Sequence, residues 1–115
     1  MDMIRSETVT IANGESLSGA AAMNPDWKLC AIMPASTWDT QAVTFQISVD
    51  GTTYANVYNE GTEYSLAGVV ASGYNRVDMN MFLGARKIKV RSGTAGAAAN
   101  QTSETTVKLV FWKLD

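Results

Sequence analysis

At 115 residues, 46% of them hydrophobic and only 17% charged, the chain has the size of one globular domain (1–115), large enough to bury a core without disulfides or metal. It contains no histidine and a single cysteine, which excludes Ser-His-Asp and Cys-His catalysis, His-ligated metal, a cysteine-held zinc or iron–sulfur cluster and an internal disulfide. With a formal net charge of −2 and no run of about 18 apolar residues or signal-like start, the sequence predicts no nucleic-acid partner, no membrane partner and a soluble protein made without export.

In chain order, residues 8–11 (Thr-Val-Thr-Ile) alternate polar and apolar and are closed by Asn13 and Gly14, the pattern of a first strand and its turn. Residues 15–24 are small and polar ahead of Pro25, which predicts a loop carrying a short strand around Leu17. Residues 28–33 form a continuous apolar run of strand length, the pattern of a central strand covered on both faces. Pro34 ends it, and Cys30 within it reads as a small buried core residue.

Residues 42–58 carry the clearest signal, a strand, a turn around Asp50 and Gly51, and a returning strand. Val43, Phe45 and Ile47 alternate with Thr44, Gln46 and Ser48, and glycine allows the positive φ that a tight reversal needs. A two-residue loop would place Tyr54, Asn56 and Tyr58 on the face of Phe45 and Ile47. A three-residue loop pairs Ser48 with Thr52, turns Ala55 and Val57 inward instead, and is preferred because it leaves no Asn56 amide in an apolar interior. Tyr54, Asn56 and Tyr58 then share an outward face with Thr44 and Gln46.

Beyond the hairpin, residues 59–62 read as a turn, 63–66 as a short strand, 67–75 as irregular, and 77–82 as a strand with Val77, Met79 and Met81 on one side. Residues 86–91 alternate, with Ile88 and Val90 inward and Lys87, Lys89 and Arg91 outward. Residues 92–103 form a long loop of Ser, Gly, Thr, Ala, Asn and Gln that, with residues 15–26, is expected to be the least rigid part of the chain. Residues 105–114 close the chain as a strand with Val107, Leu109 and Phe111 on one face and Lys108, Val110 and Trp112 on the other. About eight short strands and no helix of ten or more residues predict an all-β, antiparallel sandwich or jelly roll.

Acids dominate the first two thirds and seven of the nine bases fall after residue 75, but strands from both halves are expected to interleave and mix these charges. Asp39, Glu60 and Glu63 lie around the hairpin and are the residues from which a carboxylate pair for glycoside hydrolysis could be drawn, and Asp50, Glu60 and Asp78 are the candidate calcium set. Both read better as solvated turn residues. No phosphate-binding glycine loop occurs, so no catalytic, cofactor-binding or metal residues are assigned, no cofactor is expected and the chain does not read as an enzyme.

The aromatic residues carry more information. Trp27, Trp38, Trp112, Tyr54, Tyr58, Tyr64 and Tyr74 are amphipathic rings suited to protein interfaces or sugar stacking, the other reading of the tryptophans being that they plug the ends of the sandwich. Tyr54, Asn56, Tyr58, Trp38 and Trp112 are the candidate interface residues.

Two stretches, Phe-Gln-Ile-Ser-Val-Asp-Gly-Thr-Thr-Tyr-Ala-Asn-Val-Tyr (45–58) and Phe-Leu-Gly-Ala-Arg-Lys-Ile-Lys-Val-Arg-Ser-Gly-Thr (82–94), followed by an Ala/Gln/Asn-rich loop and a closing strand, resemble small structural proteins encoded among the head genes of tailed bacteriophages. That resemblance implies a non-enzymatic virion component made in the host cytoplasm, a capsid decoration or cement protein on the capsid exterior. It further implies binding to the major capsid protein, as a homo-oligomer (dimer or trimer). Similar hairpins occur in galactose-binding-like domains, which makes a carbohydrate-binding module the alternative, beside a small tail or head-fibre base component.

Overall fold

The computed structural model describes residues 3–113, and its architecture can be followed outward from the central hairpin. With strands numbered in chain order, β4 (Val43–Ser48) and β5 (Ala55–Asn56) form the tip. Behind the tip, β3 (Lys28–Pro34) pairs with β8 (Asn75–Arg76), β2 (Ala21–Ala22) with β9 (Lys87–Ser92), and β1 (Met3–Ile11) with β10 (Thr105–Lys113). The chain is thus one long antiparallel hairpin rolled up on itself. Lateral pairing of β10 with β3 and of β9 with β4 joins these ribbons into two four-stranded sheets, ordered β1-β10-β3-β8 and β2-β9-β4-β5. This is a jelly-roll sandwich, with β6 (Tyr58–Asn59) and β7 (Thr62–Glu63) added as a small separate ribbon.

The core lies between the sheets. Val9, Ile11, Leu29, Ile32, Val107, Leu109 and Phe111 face Val43, Phe45, Ile88 and Val90, all of them buried. Each such side chain contributes about 1.5–3 kcal/mol by leaving water. Phe45 packs edge-to-face on Phe82, with centroids 5.0 Å apart, and both rings contact Tyr64. The basic residues of the second half are divided between the layers, Lys87, Lys89 and Arg91 on β9 and Lys108 and Lys113 on β10, so the charge asymmetry of the sequence does not polarise the sandwich.

The hairpin keeps the predicted faces with a longer loop. Ile47 pairs with Ala55 and Gln46 with Asn56, two residues away from the expected register, so the parity is the same and Val57 turns inward. Asp50 explains the extra length: its Oδ1 accepts the backbone N–H groups of Thr52 and Thr53, each at 2.8 Å, and the Ser48 hydroxyl at 2.9 Å. Those bonds stabilise a five-residue turn and hold the Asp50 carboxyl well below the usual carboxylate range, with the N–H of Thr53 and then that of Thr52 the leading causes. Gly51 supplies the positive φ of 91°. Ala55 is exposed rather than buried, because the inward side of β5 reaches past the edge of the core.

Val57 is 6% exposed and Tyr58 is 56% exposed. Val57→Ala is therefore expected to cost about 1–3 kcal/mol and Tyr58→Ser much less in the isolated protein. Urea denaturation of both variants checks this, and equal losses would contradict the assigned faces.

Other expectations need correction as well, beginning with the strand expected over residues 63–66, of which only Glu63 is in a strand, β7, while Leu66 makes an isolated bridge to Val43. Residues 77–82 do not form a strand: Asp78 caps a 3-10 turn, Met79–Phe82, by accepting the N–H of Asn80 at 3.0 Å, and the turn swings Phe82 into the core. Cys30 is half-buried instead of core, because a β-bulge opposite Val110 and Phe111 shifts β3 by one residue and turns the thiol to the outer face of its sheet. The 92–103 segment is firmly tied. Gln101, 1% exposed, donates to Ser92 Oγ and accepts the Asp39 N–H, Asp39 in turn accepts the N–H of Thr102, and backbone bonds join Gln101 to Gly14 and Glu15. The segment around Leu17 makes only a single bridge, to Arg91, and the strand there is β2. The last predicted residue of the closing strand, Leu114, lies outside the described residues.

Candidate interaction surfaces

The outer face of the β2-β9-β4-β5 sheet holds the predicted tyrosine platform, but its polar groups are engaged with one another. Arg91 on β9 stands opposite Thr44 on β4, as the alternation of β9 requires. The β6–β7 ribbon folds over both residues, so that Arg91 is outward on its sheet and yet 6% exposed, and Thr44 is fully buried. Arg91 Nη1 meets Glu63 Oε2 at 3.1 Å and Nη2 donates to Asn56 Oδ1 at 2.6 Å. Glu63 also accepts the backbone N–H of Ala95, which fastens the 92–103 segment to the same network. Lys89 places its ammonium 4.2 Å from the centroid of Tyr54, a cation–π contact that occupies one face of that ring. Of Tyr54, Asn56 and Tyr58, only Tyr58 is exposed, and the other two are half-buried.

Trp112 lies on the other sheet, so the five candidate residues do not form one patch. Phe111 points into the core, and alternation turns Trp112 to the outer face of the β1-β10-β3-β8 sheet, directly beside Ile4, which is 65% exposed. The same face carries Val110 and the bulged Cys30, whose thiol donates to the Val110 carbonyl at 3.4 Å and lies 3.6 Å from the Tyr74 hydroxyl. The contact with the thiol, followed by desolvation, pushes the Tyr74 phenol up from its ordinary value. Lys28, the cation nearest Trp112 in register, donates to the Pro25 carbonyl. The result is a strip of Ile4, Trp112, Cys30 and Tyr74 bordered on the same face by the cations Lys28, Arg76 and Lys108.

Trp38 takes the plugging role. It is buried, 5% exposed, at the end of the sandwich near the Asp39–Thr102 contact and presents almost no surface in the isolated chain.

At the opposite end, a cleft of about 850 Å³ opens between the β2–β3 loop, the 3-10 turn and the hairpin tip. Its floor is apolar (Met23, Leu29, Phe82), and its rim carries Arg5, Lys28, Arg86 and Lys87 against the single acid Asp50. Trp27 forms one wall, with Arg5 5.2 Å and Lys113 5.8 Å from its ring centroid. The cleft places no nucleophile beside a base. The acids weighed for catalysis are dispersed: Asp39 binds Thr102, Glu63 binds Arg91, and Glu60 sits at φ 52° in the exposed β6–β7 turn. Among the described residues no three His, Cys, Asp or Glu side chains come close enough to hold a metal ion, and Asp50, Glu60 and Asp78 do not converge.

Sequence reasoning missed the Arg91–Glu63 network and the cleft. The residues of the first are 28 apart in sequence and those of the second come from five segments, so neither leaves a local signal. Comparison with known proteins returns no matching family, no matching curated protein and no matching solved structure.

Proposed function

We propose that the protein is a non-enzymatic virion structural component of a tailed bacteriophage, a decoration protein that binds major capsid subunits on the shell exterior and stabilises it. The observation that carries this reading is the outer face of the β1-β10-β3-β8 sheet. Ile4 at 65% and Tyr74 at 57% exposure flank Trp112, and Lys28, Arg76 and Lys108 border them, an apolar and aromatic strip with a polar rim that suits burial against another protein. The jelly roll is compatible with it by analogy alone, since that architecture serves viral shells and lectins alike.

A carbohydrate-binding reading has less support. It relied on a free aromatic and amide platform, whereas the Asn56 acceptor is taken by Arg91 and one Tyr54 ring face by Lys89. Imaging of virions made with and without the gene product tests the proposal. Loss of regularly spaced density on the capsid surface is the expected result. Unchanged capsid density with a loss at the neck, tail or fibre base would overturn the capsid assignment.

A further inference from the structure

The four sheet edges differ sharply in length. β2, β5 and β8 are edge strands of two residues each, too short to template another chain, whereas β1 is an edge strand of nine. Its pairing with β10 is continuous from Met3 to Ile11, without a bulge, and the strand contains no proline. Shortness, bulges and proline are the usual means by which sandwich proteins blunt their edges. β1 has none of these three, though it carries the inward-facing charged pair Arg5 and Glu7, whose opposite signs leave it open to a partner of matching charge.

The direction of its backbone groups follows from two hydrogen bonds. Ala35 donates to the Thr106 carbonyl on the β3 side of β10, so the odd-numbered residues of β10 face β1 and bind the odd-numbered residues of β1. Gly19 donates to the Thr10 carbonyl, which confirms that even-numbered residues of β1 point away from the sheet. The N–H and C=O groups of Ile4, Ser6 and Thr8 therefore line the open edge, and among the described residues they have no backbone partner.

We infer that this edge pairs with the same edge of a second copy, antiparallel and centred on Ser6, joining two four-stranded sheets into one of eight strands across a twofold axis. The register is written in the charges. Only even-numbered residues can exchange hydrogen bonds across the edge, which restricts the registers to steps of two residues. With Ser6 opposite Ser6, Ile4 faces Thr8, and Arg5 of each copy faces Glu7 of the other. One step to either side places Glu7 opposite Glu7 or Arg5 opposite Arg5, and directly opposed like charges are unfavourable. A twofold interface must be complementary to itself, and Arg5-Ser6-Glu7 is so in one register alone.

Arg5 has the capacity for the added contact. Its Nη1 binds Glu7 of its own strand at 2.8 Å, its guanidinium carbon lies 4.6 Å from the Phe111 ring centroid, and its Nε is buried without an acceptor. The edge strand also carries Ile4 on the outer face, so pairing brings two copies of the Ile4–Trp112 strip side by side on one broad surface. The dimer stands independently of the capsid proposal, and each can fail without the other.

Sedimentation equilibrium on the purified full chain tests the inference. The wild-type protein is expected to dimerise. Glu7→Arg is expected to weaken association by roughly tenfold or more through two like-charge contacts, and the exchange Arg5→Glu with Glu7→Arg to restore it. Ser6→Pro removes an N–H that the monomer leaves unpaired, so it is expected to yield a folded monomer. Thermal unfolding of each variant separates lost pairing from lost folding. A wild-type protein that stays monomeric at high micromolar concentration, or dimers indifferent to both Glu7→Arg and Ser6→Pro, would overturn the proposal. The first outcome would also mean that Arg5 and Glu7 act as inward-pointing edge guards, and capture of an extended segment of another protein by β1 would give the edge a different occupant.

Discussion

Arg91→Ala is expected to destabilise the fold by about 3–5 kcal/mol, a large share of the 5–15 kcal/mol that holds a typical domain together. The loss of attraction is the smaller part of this. Arg91 and Glu63 have side chains only 8% and 16% exposed, so removing the guanidinium strands a carboxylate under the β6–β7 ribbon and leaves Asn56 Oδ1 without its shortest donor. Exposed ion pairs, by contrast, contribute about 0–1 kcal/mol. Replacing both partners, Arg91→Met with Glu63→Gln, removes the stranded charge and is expected to recover most of the loss. Denaturant titration of the two single variants and the double variant measures the coupling. Single losses below about 1 kcal/mol, simply adding in the double, would show that the ribbon does not seal this pair from water.

Phe45→Ala is expected to cost a similar amount, about 3–5 kcal/mol, for a different reason. Phe45 is fully buried and is the ring on which the two layers and the 3-10 turn meet, with Phe82 edge-on at 5.0 Å and Tyr64 stacked at 6.2 Å. Truncation leaves a cavity walled by strands that cannot collapse into it without breaking ladder bonds. Tyr64 also accepts the backbone N–H of Asp78 through its hydroxyl, so movement of its ring would disturb the cap of the 3-10 turn. Calorimetry of the variant should show a large fall in Tm. A drop of only a few degrees would mean that the core repacks around the gap.

What the sequence revealed follows from where the causes lie. The inward faces of β4, β9 and β10 were legible because one side of each strand is core and the other is not, which stamps a period of two on Val43-Phe45, Ile88-Val90 and Val107-Leu109-Phe111. The central hairpin was legible for the same reason, and the structure makes it the tip about which the chain is rolled. The loop length was not, because it depends on four hydrogen bonds to Asp50 Oδ1 rather than on the Asp-Gly pair alone. Residues 77–82 misled because methionines two apart imitate a strand, while the deciding element was the Asp78 side chain at its start. The small residues of the 92–103 segment suggest pliancy. Gln101 and Asp39 contribute the opposite, through contacts across more than 60 residues that no local pattern records.

The outward face of the hairpin shows the same division. The sequence identified which side Tyr54, Asn56 and Tyr58 occupy, and the structure adds what lies over them. A basic residue at the end of an alternating strand gives no warning that an acid from a separate ribbon will cover it. Trp112 and Ile4, more than 100 residues apart in the chain, become neighbours only because β1 and β10 are the two ends of the rolled hairpin.

The proposed capsid role is tested most directly by adding purified protein to expanded capsids of the phage to which that proposal would assign it and following both binding and thermal disruption of the shell. Identical sites on a lattice turn modest contacts into avidity, and a ligand that binds only the assembled state stabilises it by mass action. The account predicts saturable binding at a copy number set by capsid symmetry, together with a higher disruption temperature. No binding to the shell, or binding that leaves the disruption temperature unchanged, would contradict it.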